Sequence, residues 1–156
     1  MVGAAILGLL LIFYTRRFGG GAGTIFKKDD PRLLAAKAQA RATLPTFWAA
    51  LEAGDPADDG FAIKFNLNHG AGEGDNESIW AGEIVRRDGR IFGQLLNKPV
   101  NAAYNMGQEV EIAPEAIDDW GFWRNGVAQG HYVTRLMIEG APAGTARRQR
   151  MNMGWG

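Results

Sequence analysis

The chain contains no cysteine among its 156 residues, which excludes disulfides, thiolate nucleophiles and cysteine-ligated metal sites. Its one serine, Ser78, has no histidine or aspartate at a spacing that is diagnostic of a catalytic triad. His69 and His131 are the two imidazole groups available for metal binding or proton transfer. Nucleophilic catalysis therefore has few residues to use, and the lack of cysteine leaves the redox compartment undetermined.

An excess of either charge is also missing, because 17 lysines and arginines balance 17 aspartates and glutamates. A nucleic-acid-binding protein has to neutralise phosphates with clustered cations, so no nucleic acid is expected as a partner. The composition, 46% hydrophobic and 22% charged, is that of an ordinary globular protein. The length fits a single domain with its own core.

One long uncharged apolar run is present, from Met1 to Tyr14, and Arg16 and Arg17 follow it. As a helix it would cover roughly 21 Å of a hydrocarbon core of about 30 Å, which is short for a span. A cleavable signal peptide would carry its positive charge before the apolar run. We therefore expect residues 1–17 to be an uncleaved anchor that contacts membrane lipid and leaves the domain on the cytoplasmic face of the inner membrane. A wrong start codon, or a helix packed on a cytoplasmic domain, is the alternative.

Residues 18–29 are rich in glycine and end in basic residues. The glycines lack the Gly-Lys-Ser/Thr ending of a phosphate-binding loop, so a linker is the better interpretation. Lys27 and Lys28 would place positive charge next to anionic lipid headgroups if the anchor is real.

Two helices are predicted next. Asp30 and Pro31 form a helix start, and the spacing of alanine and leucine predicts a first helix over residues 32–43. Because proline breaks a helix interior, Pro45 is expected to begin a second, short helix that ends before Gly54. Neither helix is stable alone in water, so both are expected to pack on a sheet.

From residue 61 onward the pattern changes to alternation with a period of two. Residues 61–67 predict one strand, and residues 77–87 and 90–96 predict a hairpin around Asp88 and Gly89. Residues 108–112 predict a further strand before the last hairpin. The expected fold is therefore α+β, with N-terminal helices packed on a bent antiparallel sheet of about six strands, in a domain covering residues 30–139.

The last hairpin, residues 118–135, holds most of the side chains that are candidates for ligand binding or catalysis. Its turn is Asn125-Gly126, a pair that tolerates the positive φ angles of a type I′ turn. Trp120 and Phe122 on the first arm should face one side of the sheet and be buried, while Trp123 should face the other side. The return arm is predicted as a strand on which His131 and Arg135 share a face.

Asp119 and Arg135 stand at corresponding ends of the two arms, so the sequence predicts a carboxylate–guanidinium pair. Such a pair would either lock the hairpin or offer a charged site for a ligand. His131 is interpreted as a structural residue or, less readily, as a base. Trp123, on the outward face, is a candidate for contact with a partner.

An acidic, glycine-rich loop at residues 69–77 offers a weaker possibility. It holds His69, Glu73, Asp75 and Glu77, but their spacing matches no metal-ligand rule, so no metal and no cofactor is expected. Glycine and alanine dominate residues 140–156, which are expected to be a disordered tail. Its arginines and Trp155 could alternatively touch anionic lipid.

Several motifs resemble those of a family of bacterial proteins of unknown function. They are an acidic residue three before a tryptophan, a Gly-x-Leu-x-Asn-x-Pro run, an Asp-Trp pair and a Gly-x-Tyr-x-x-Arg ending, found here at Glu77–Trp80, Gly93–Pro99, Asp119–Trp120 and Gly130–Arg135. Over residues 31–138 the chain is similar to the domain of unknown function family 2314 (DUF2314, YegJ-like). The resemblance implies a small α+β domain and no established activity.

The function expected from these observations is a non-catalytic binding or regulatory module, tethered at the inner membrane, with an unknown protein partner. Its candidate binding residues are Glu77, Asn97, Asp119, Trp123, His131 and Arg135. The alternatives are a metal- or acid/base-dependent enzyme that uses the 69–77 loop with His131 and Arg135, and an immunity-type protein that binds a toxin through an exposed patch near Trp123.

Overall fold

The structure is a computed structural model that describes residues 26–72 and 76–156. The predicted anchor and most of the predicted linker lie outside these residues. Within them, one helix precedes a sheet of six strands and two shorter helices follow it, so the predicted α+β class is confirmed. The elements are α1 Pro31–Ala53, β1 Asp58–Asn66, β2 Ser78–Arg87, β3 Arg90–Leu95, β4 Glu109–Ile112, a 3-10 turn Pro114–Ala116, β5 Ile117–Arg124, β6 Val127–Gly130, α2 Tyr132–Glu139 and α3 Ala143–Asn152.

Helix α1 is continuous, so the prediction of two helices separated at Pro45 is wrong. Proline in a helix interior removes one hydrogen bond and costs about 3 kcal/mol. Burial offsets this cost, because Phe47 is fully buried and its ring lies 5.6 Å from that of Phe61 and 6.0 Å from that of Trp120. The predicted start is confirmed, since the Asp30 side chain accepts a hydrogen bond from the Arg32 N–H at 2.9 Å.

The sheet is antiparallel with strand order β4-β3-β2-β1-β5-β6. Strands β1 to β4 follow one another as a meander, and β5 then returns to the free side of β1. Both predicted tight turns are present. Asp88 and Gly89 have φ angles of 51° and 74°, and Asn125 and Gly126 have 50° and 77°, the two successive left-handed residues that a type I′ turn requires.

Both faces of β5 are covered, and seven of its eight residues are buried. Trp120 and Phe122 belong to the main core between the sheet and α1, as predicted. Trp123 points to the opposite face and packs with Ala128, Ile138 and Met153, which come from β6, α2 and the end of the chain. Strand β5 therefore contributes to both hydrophobic clusters, one on each face of the sheet.

The return arm of the last hairpin is shorter than predicted. Strand β6 ends at Gly130, and helix α2 begins at Tyr132, so the prediction of a strand through Arg135 is wrong. Gly130 and His131 have φ angles of 72° and 54°, and two consecutive left-handed residues turn the chain off the sheet. A side chain on Gly130 would overlap the Trp120 backbone and ring, so only glycine fits there.

The prediction of disorder for residues 140–156 is also wrong, because helix α3 covers Ala143–Asn152. The segment after it closes the open edge of β6. The Ala128 N–H donates to the Met153 carbonyl at 2.9 Å, and the Trp155 indole donates to the Ala128 carbonyl at 2.9 Å. Pairing of the edge strand and burial of Met153 order the segment.

None of the helices found in residues 26–72 and 76–156 has the length and apolar character that crossing a membrane requires.

Candidate functional site

Asp119 lies on β5 and is fully buried. Its carboxylate accepts hydrogen bonds from the backbone N–H groups of Tyr132 at 3.0 Å and Val133 at 2.9 Å, the first residues of α2, and from Trp120 at 2.9 Å. It thereby caps the start of α2, where His131 provides no side-chain cap. Burial raises the pKa of Asp119 to about 6, against the opposing effect of these N–H groups and of Lys64.

Lys64 lies beside Asp119 on the sheet face opposite α1. It pairs with Asp119 on one neighbouring strand and with Trp80 on the other, so the three side chains form a row across β5, β1 and β2. The Lys64 ammonium is 5.9 Å from the centroid of the Trp80 ring. Burial lowers the pKa of Lys64, although Asp119 and Asp118 oppose the shift. A lysine next to a carboxyl group with a near-neutral pKa is the arrangement that general acid–base chemistry uses.

Asp118, the neighbour of Asp119, joins three elements of the fold. Its carboxylate lies 3.1 Å from the Lys37 ammonium and 3.6 Å from the Arg41 guanidinium, both on α1. The same carboxylate accepts a hydrogen bond from the Ser78 hydroxyl on β2 at 3.0 Å. The chain's one serine therefore takes part in a structural contact between β2 and β5.

His131 is fully buried and has a left-handed backbone. Its ring centroid lies 5.2 Å from that of Trp80 and 5.0 Å from that of Trp123. The imidazole rests directly on Gly121, where any side chain would overlap it. Burial, together with the positive charges of Arg135 and Lys64, lowers the pKa of His131 to about 3, so the ring is neutral at pH 7.

The predicted pair between Asp119 and Arg135 is not among the salt bridges of the described chain. Because Arg135 lies on a helix rather than a strand, its side chain turns toward the end of the chain. Its Nε donates to the Gly130 carbonyl at 3.0 Å, and its guanidinium stacks 3.8 Å from the centroid of the Trp155 ring. Arg135 therefore holds the C-terminal segment in place.

Trp123 is only 1% exposed. The expectation of an exposed aromatic patch around it is wrong, because the C-terminal segment predicted to be disordered covers it. This burial removes the observation that would have favoured a toxin-binding protein at this position.

Glu77 and Asn97, the other two candidates, fasten the loop between β3 and β4. The Glu77 carboxylate accepts hydrogen bonds from the backbone N–H groups of Val100 at 2.5 Å and Asn101 at 2.9 Å. The Asn97 side-chain oxygen accepts a hydrogen bond from the Trp80 N–H at 3.3 Å. Both residues thus hold the loop against the start of β2, so the six candidates do not converge on one site.

The enzyme alternative relied on the acidic loop, of which Glu73 and Asp75 lie outside the described residues. His69 is exposed in the turn after β1, whereas His131 is buried behind Trp80 and Trp123. In residues 26–72 and 76–156 no three acidic, histidine or cysteine side chains group as metal ligands. The expectation of no metal and no cofactor stays a prediction.

Helices α2 and α3 form a basic surface that was not predicted from the sequence. A cavity of about 110 Å³ between them is lined by Arg135, Ile138, Glu139, Arg150 and Trp155. A shallower groove of about 520 Å³ continues along α3 and shares Arg150 and Trp155 with this cavity. We call the exposed face of α3 with this groove the α3 surface. It is defined by Arg147, Arg148, Arg150, Met151 and Trp155.

Lys64, Asp118, Lys37 and Arg41 were not identified as site residues from the sequence. Lys64 carried one signal, since it is a charged residue between apolar ones in a strand predicted to be half buried. Asp118 carried another, because it directly precedes Asp119 in the motif. Nothing in the sequence places α1 against β5, so the contacts of Lys37 and Arg41 required the tertiary structure.

Neither the comparison with curated proteins nor that with solved structures found a match. A family profile described as an uncharacterised protein conserved in bacteria matches residues 30–156. This range includes α3 and the closing segment, so the C-terminal residues are part of the family domain, whereas the motif resemblance ended at residue 138. The match covers most of the chain, and the protein therefore belongs to the DUF2314 family.

Proposed function

We propose that this protein is a non-catalytic binding or regulatory module held at the cytoplasmic face of the inner membrane. The observation that carries the proposal is the use of the reactive side chains by the fold itself. Asp119 caps α2, Glu77 anchors a loop, and Arg135 stacks on Trp155. Because these side chains are engaged in contacts within the domain, they are not arranged to act together on a substrate, which favours a non-catalytic module.

The loop between β3 and β4 is the surface that we assign to a protein partner. Val100 is 90% exposed and Met106 is 49% exposed. Hydrogen bonds to the rest of the domain fix this loop. The Glu77 carboxylate accepts from two of its backbone N–H groups, and the Asn101 side-chain amide donates to the Asn68 side-chain oxygen at 2.7 Å. A held loop with exposed apolar side chains binds a partner at a low entropic cost.

Affinity capture with the tagged chain tests the protein partner. The double substitution Val100→Asp and Met106→Asp should abolish capture, since it places charge where apolar contact is needed. Val85→Asp is the matched control, because Val85 is 40% exposed on β2. A partner that both variants retain equally would contradict the assignment of this loop.

The tether rests on the apolar run from Met1 to Tyr14 and the arginines that follow it. Fractionation of cells tests it. The chain should stay with the membrane after alkaline extraction, and a variant without residues 1–17 should move to the soluble fraction. Recovery of the whole chain in the soluble fraction would contradict the tether and leave a cytoplasmic module.

The row formed by Lys64 and Asp119 favours acid–base catalysis as a second candidate function. Burial raises the pKa of Asp119 to about 6, within the range of a general base. NMR titration of the Asp119 carboxyl group in the chain and in Lys64→Met tests the pairing. The pKa of Asp119 should rise further in the variant, and an unchanged value would remove this candidate.

A further inference from the structure

The α3 surface concentrates positive charge in a protein whose formal net charge is zero. The last 17 residues contain Arg147, Arg148 and Arg150 and no aspartate or glutamate, whereas the whole chain has a formal net charge of zero. All three arginines are exposed. None of them forms an ion pair with a residue of the described chain. Their charges are therefore available to a partner outside the domain.

Apolar side chains share this face with the arginines. Arg147, Arg150 and Met151 are separated by three and four positions, so they lie on one side of the helix. Met151 is 64% exposed, although methionine side chains gain from burial. The groove beside them has a floor of Ala143, Ala146 and Trp155. Basic side chains beside an exposed apolar one allow contact with the phosphates of a bilayer and with the apolar boundary beneath them.

The helix is fixed to the domain in an orientation that leaves this face free. Ala146 packs against the core cluster that contains Trp123 and Met153, and the segment after the helix is attached through the Trp155 indole, which donates to the Ala128 carbonyl at 2.9 Å. Arg135 stacks on the same indole at 3.8 Å and adds a further positive charge at the rim. Among the described residues, Glu139 is the one acidic side chain that lines the adjoining cavity, beside the two cations Arg135 and Arg150.

We propose that the α3 surface binds the headgroups of anionic phospholipids and sets the orientation of the domain on the membrane. This inference rests on the proposed tether, because an anchored domain would meet the lipid surface at a high effective concentration. The arginines bind phosphates, and Met151 enters the boundary between headgroups and acyl chains. Charge complementarity identifies the lipid, since the cytoplasmic leaflet is anionic and each basic residue near it strengthens binding about five-fold.

A fluorescent label at Met151 tests the inference directly. The chain has no cysteine, so Met151→Cys carries an environment-sensitive nitrobenzoxadiazole group at a single site. With phosphatidylcholine vesicles that contain phosphatidylglycerol, its emission should shift to shorter wavelength, and with phosphatidylcholine alone it should not. Val100→Cys, which places the label on the exposed loop between β3 and β4, should show no shift in either case.

Charge variants distinguish binding by the arginines from nonspecific adsorption to the vesicles. Arg147→Gln with Arg150→Gln should lower the equilibrium constant for the shifted state by about 30-fold, while replacement of both by lysine should retain it. Salt at about 1 M, where the Debye length is about 3 Å, should abolish the shift. Unfolding of each variant by urea should match that of the unsubstituted chain, because these side chains are exposed.

The outcomes also distinguish the α3 surface from the tether. Flotation of the chain with pure phosphatidylcholine vesicles reports the apolar run alone, whereas the shift at residue 151 reports α3. A chain that floats with anionic vesicles without any shift at residue 151 would overturn the inference and leave the tether standing. An equal shift at residues 100 and 151, or an equal shift with polyglutamate and no lipid, would also overturn it, the latter in favour of an acidic protein partner.

Discussion

Asp119 and His131 are both completely buried, and their pKa shifts have opposite consequences for stability. The pKa of Asp119 rises from 3.8 to about 6 on folding. The unfolded chain then releases this proton first, so the free energy of unfolding falls as the pH rises through that interval. The pKa of His131 falls from 6.5 to about 3. Stability from His131 is therefore complete above pH 6.5 and is lost as the pH falls toward 3.

Between about pH 4 and pH 6 the two effects oppose each other, so their joint contribution should vary little. Asp119→Asn removes one of them. We expect the free energy of unfolding of this variant to rise by about 1.4 kcal/mol per pH unit in this interval, with about 1 kcal/mol lost at pH 5 from the weaker cap on α2. Urea unfolding at several pH values measures both. Asp88→Asn, in an exposed turn, is the control, and parallel curves for Asp119→Asn and the unsubstituted chain would refute the assignment.

The histidine is tested by His131→Asn, since asparagine tolerates the left-handed backbone found there. At pH 7 the smaller side chain leaves space beside Trp80 and Trp123, and the free energy of unfolding should fall by about 1–3 kcal/mol. This deficit should shrink as the pH falls below 6.5, because the variant has no buried imidazole to protonate on unfolding. His69→Asn, on an exposed turn, should show neither effect in the same urea series.

At the scale of elements, helix α1 shows how packing overrides a local breaker. Pro45 lies inside the helix. Because proline has no backbone N–H, it donates no hydrogen bond to the Arg41 carbonyl. Leu34 is 50% exposed, whereas Leu33, Ala40, Phe47 and Ala50 are buried. Alanines occur on all sides of this helix, so the periodicity of the sequence does not single out the face that contacts the sheet.

Pro45→Ala tests the continuity of α1. The substitution restores an N–H to the helix, so the free energy of unfolding should rise by about 1–2 kcal/mol after allowance for the greater freedom of the unfolded chain. Pro31→Ala is the matched control, because the first helical position makes no such bond and should change stability little. Thermal unfolding measures the difference. If residue 45 instead began a separate helix, the two variants would behave alike.

At the scale of the whole molecule, the end of the chain is part of the domain. Residues 153–155 complete the edge of β6 and cover Trp123, which is otherwise on the open face of the sheet. Trp155→Ala should lower the free energy of unfolding by about 2 kcal/mol, through lost apolar burial and the lost hydrogen bond to Ala128. Met151→Ala, at an exposed position, should stay within about 0.5 kcal/mol. Urea unfolding that leaves Trp155→Ala unchanged would mean that the segment does not stabilise the domain.

The sequence by itself determined the local features of this protein. The existence of β1 to β5, the Asp30 cap and the Asp88-Gly89 and Asn125-Gly126 turns depend on neighbouring residues and were predicted correctly, whereas the long return strand through Arg135 was not. The α+β class and the family motifs follow from the same local patterns. The α3 surface shows the limit, because its arginines were visible in the sequence while their shared helical face was not.

Only the tertiary structure decided the roles of the candidate residues, because each role depends on a partner far away in the sequence. Asp119 caps a helix that begins 13 residues later, and the Trp120 indole donates to the Ala40 carbonyl, 80 residues away. Trp123 became a core residue because a segment with no apolar periodicity folds over it. Contacts of this kind are set by the crossing of whole elements, which no local pattern of residues encodes.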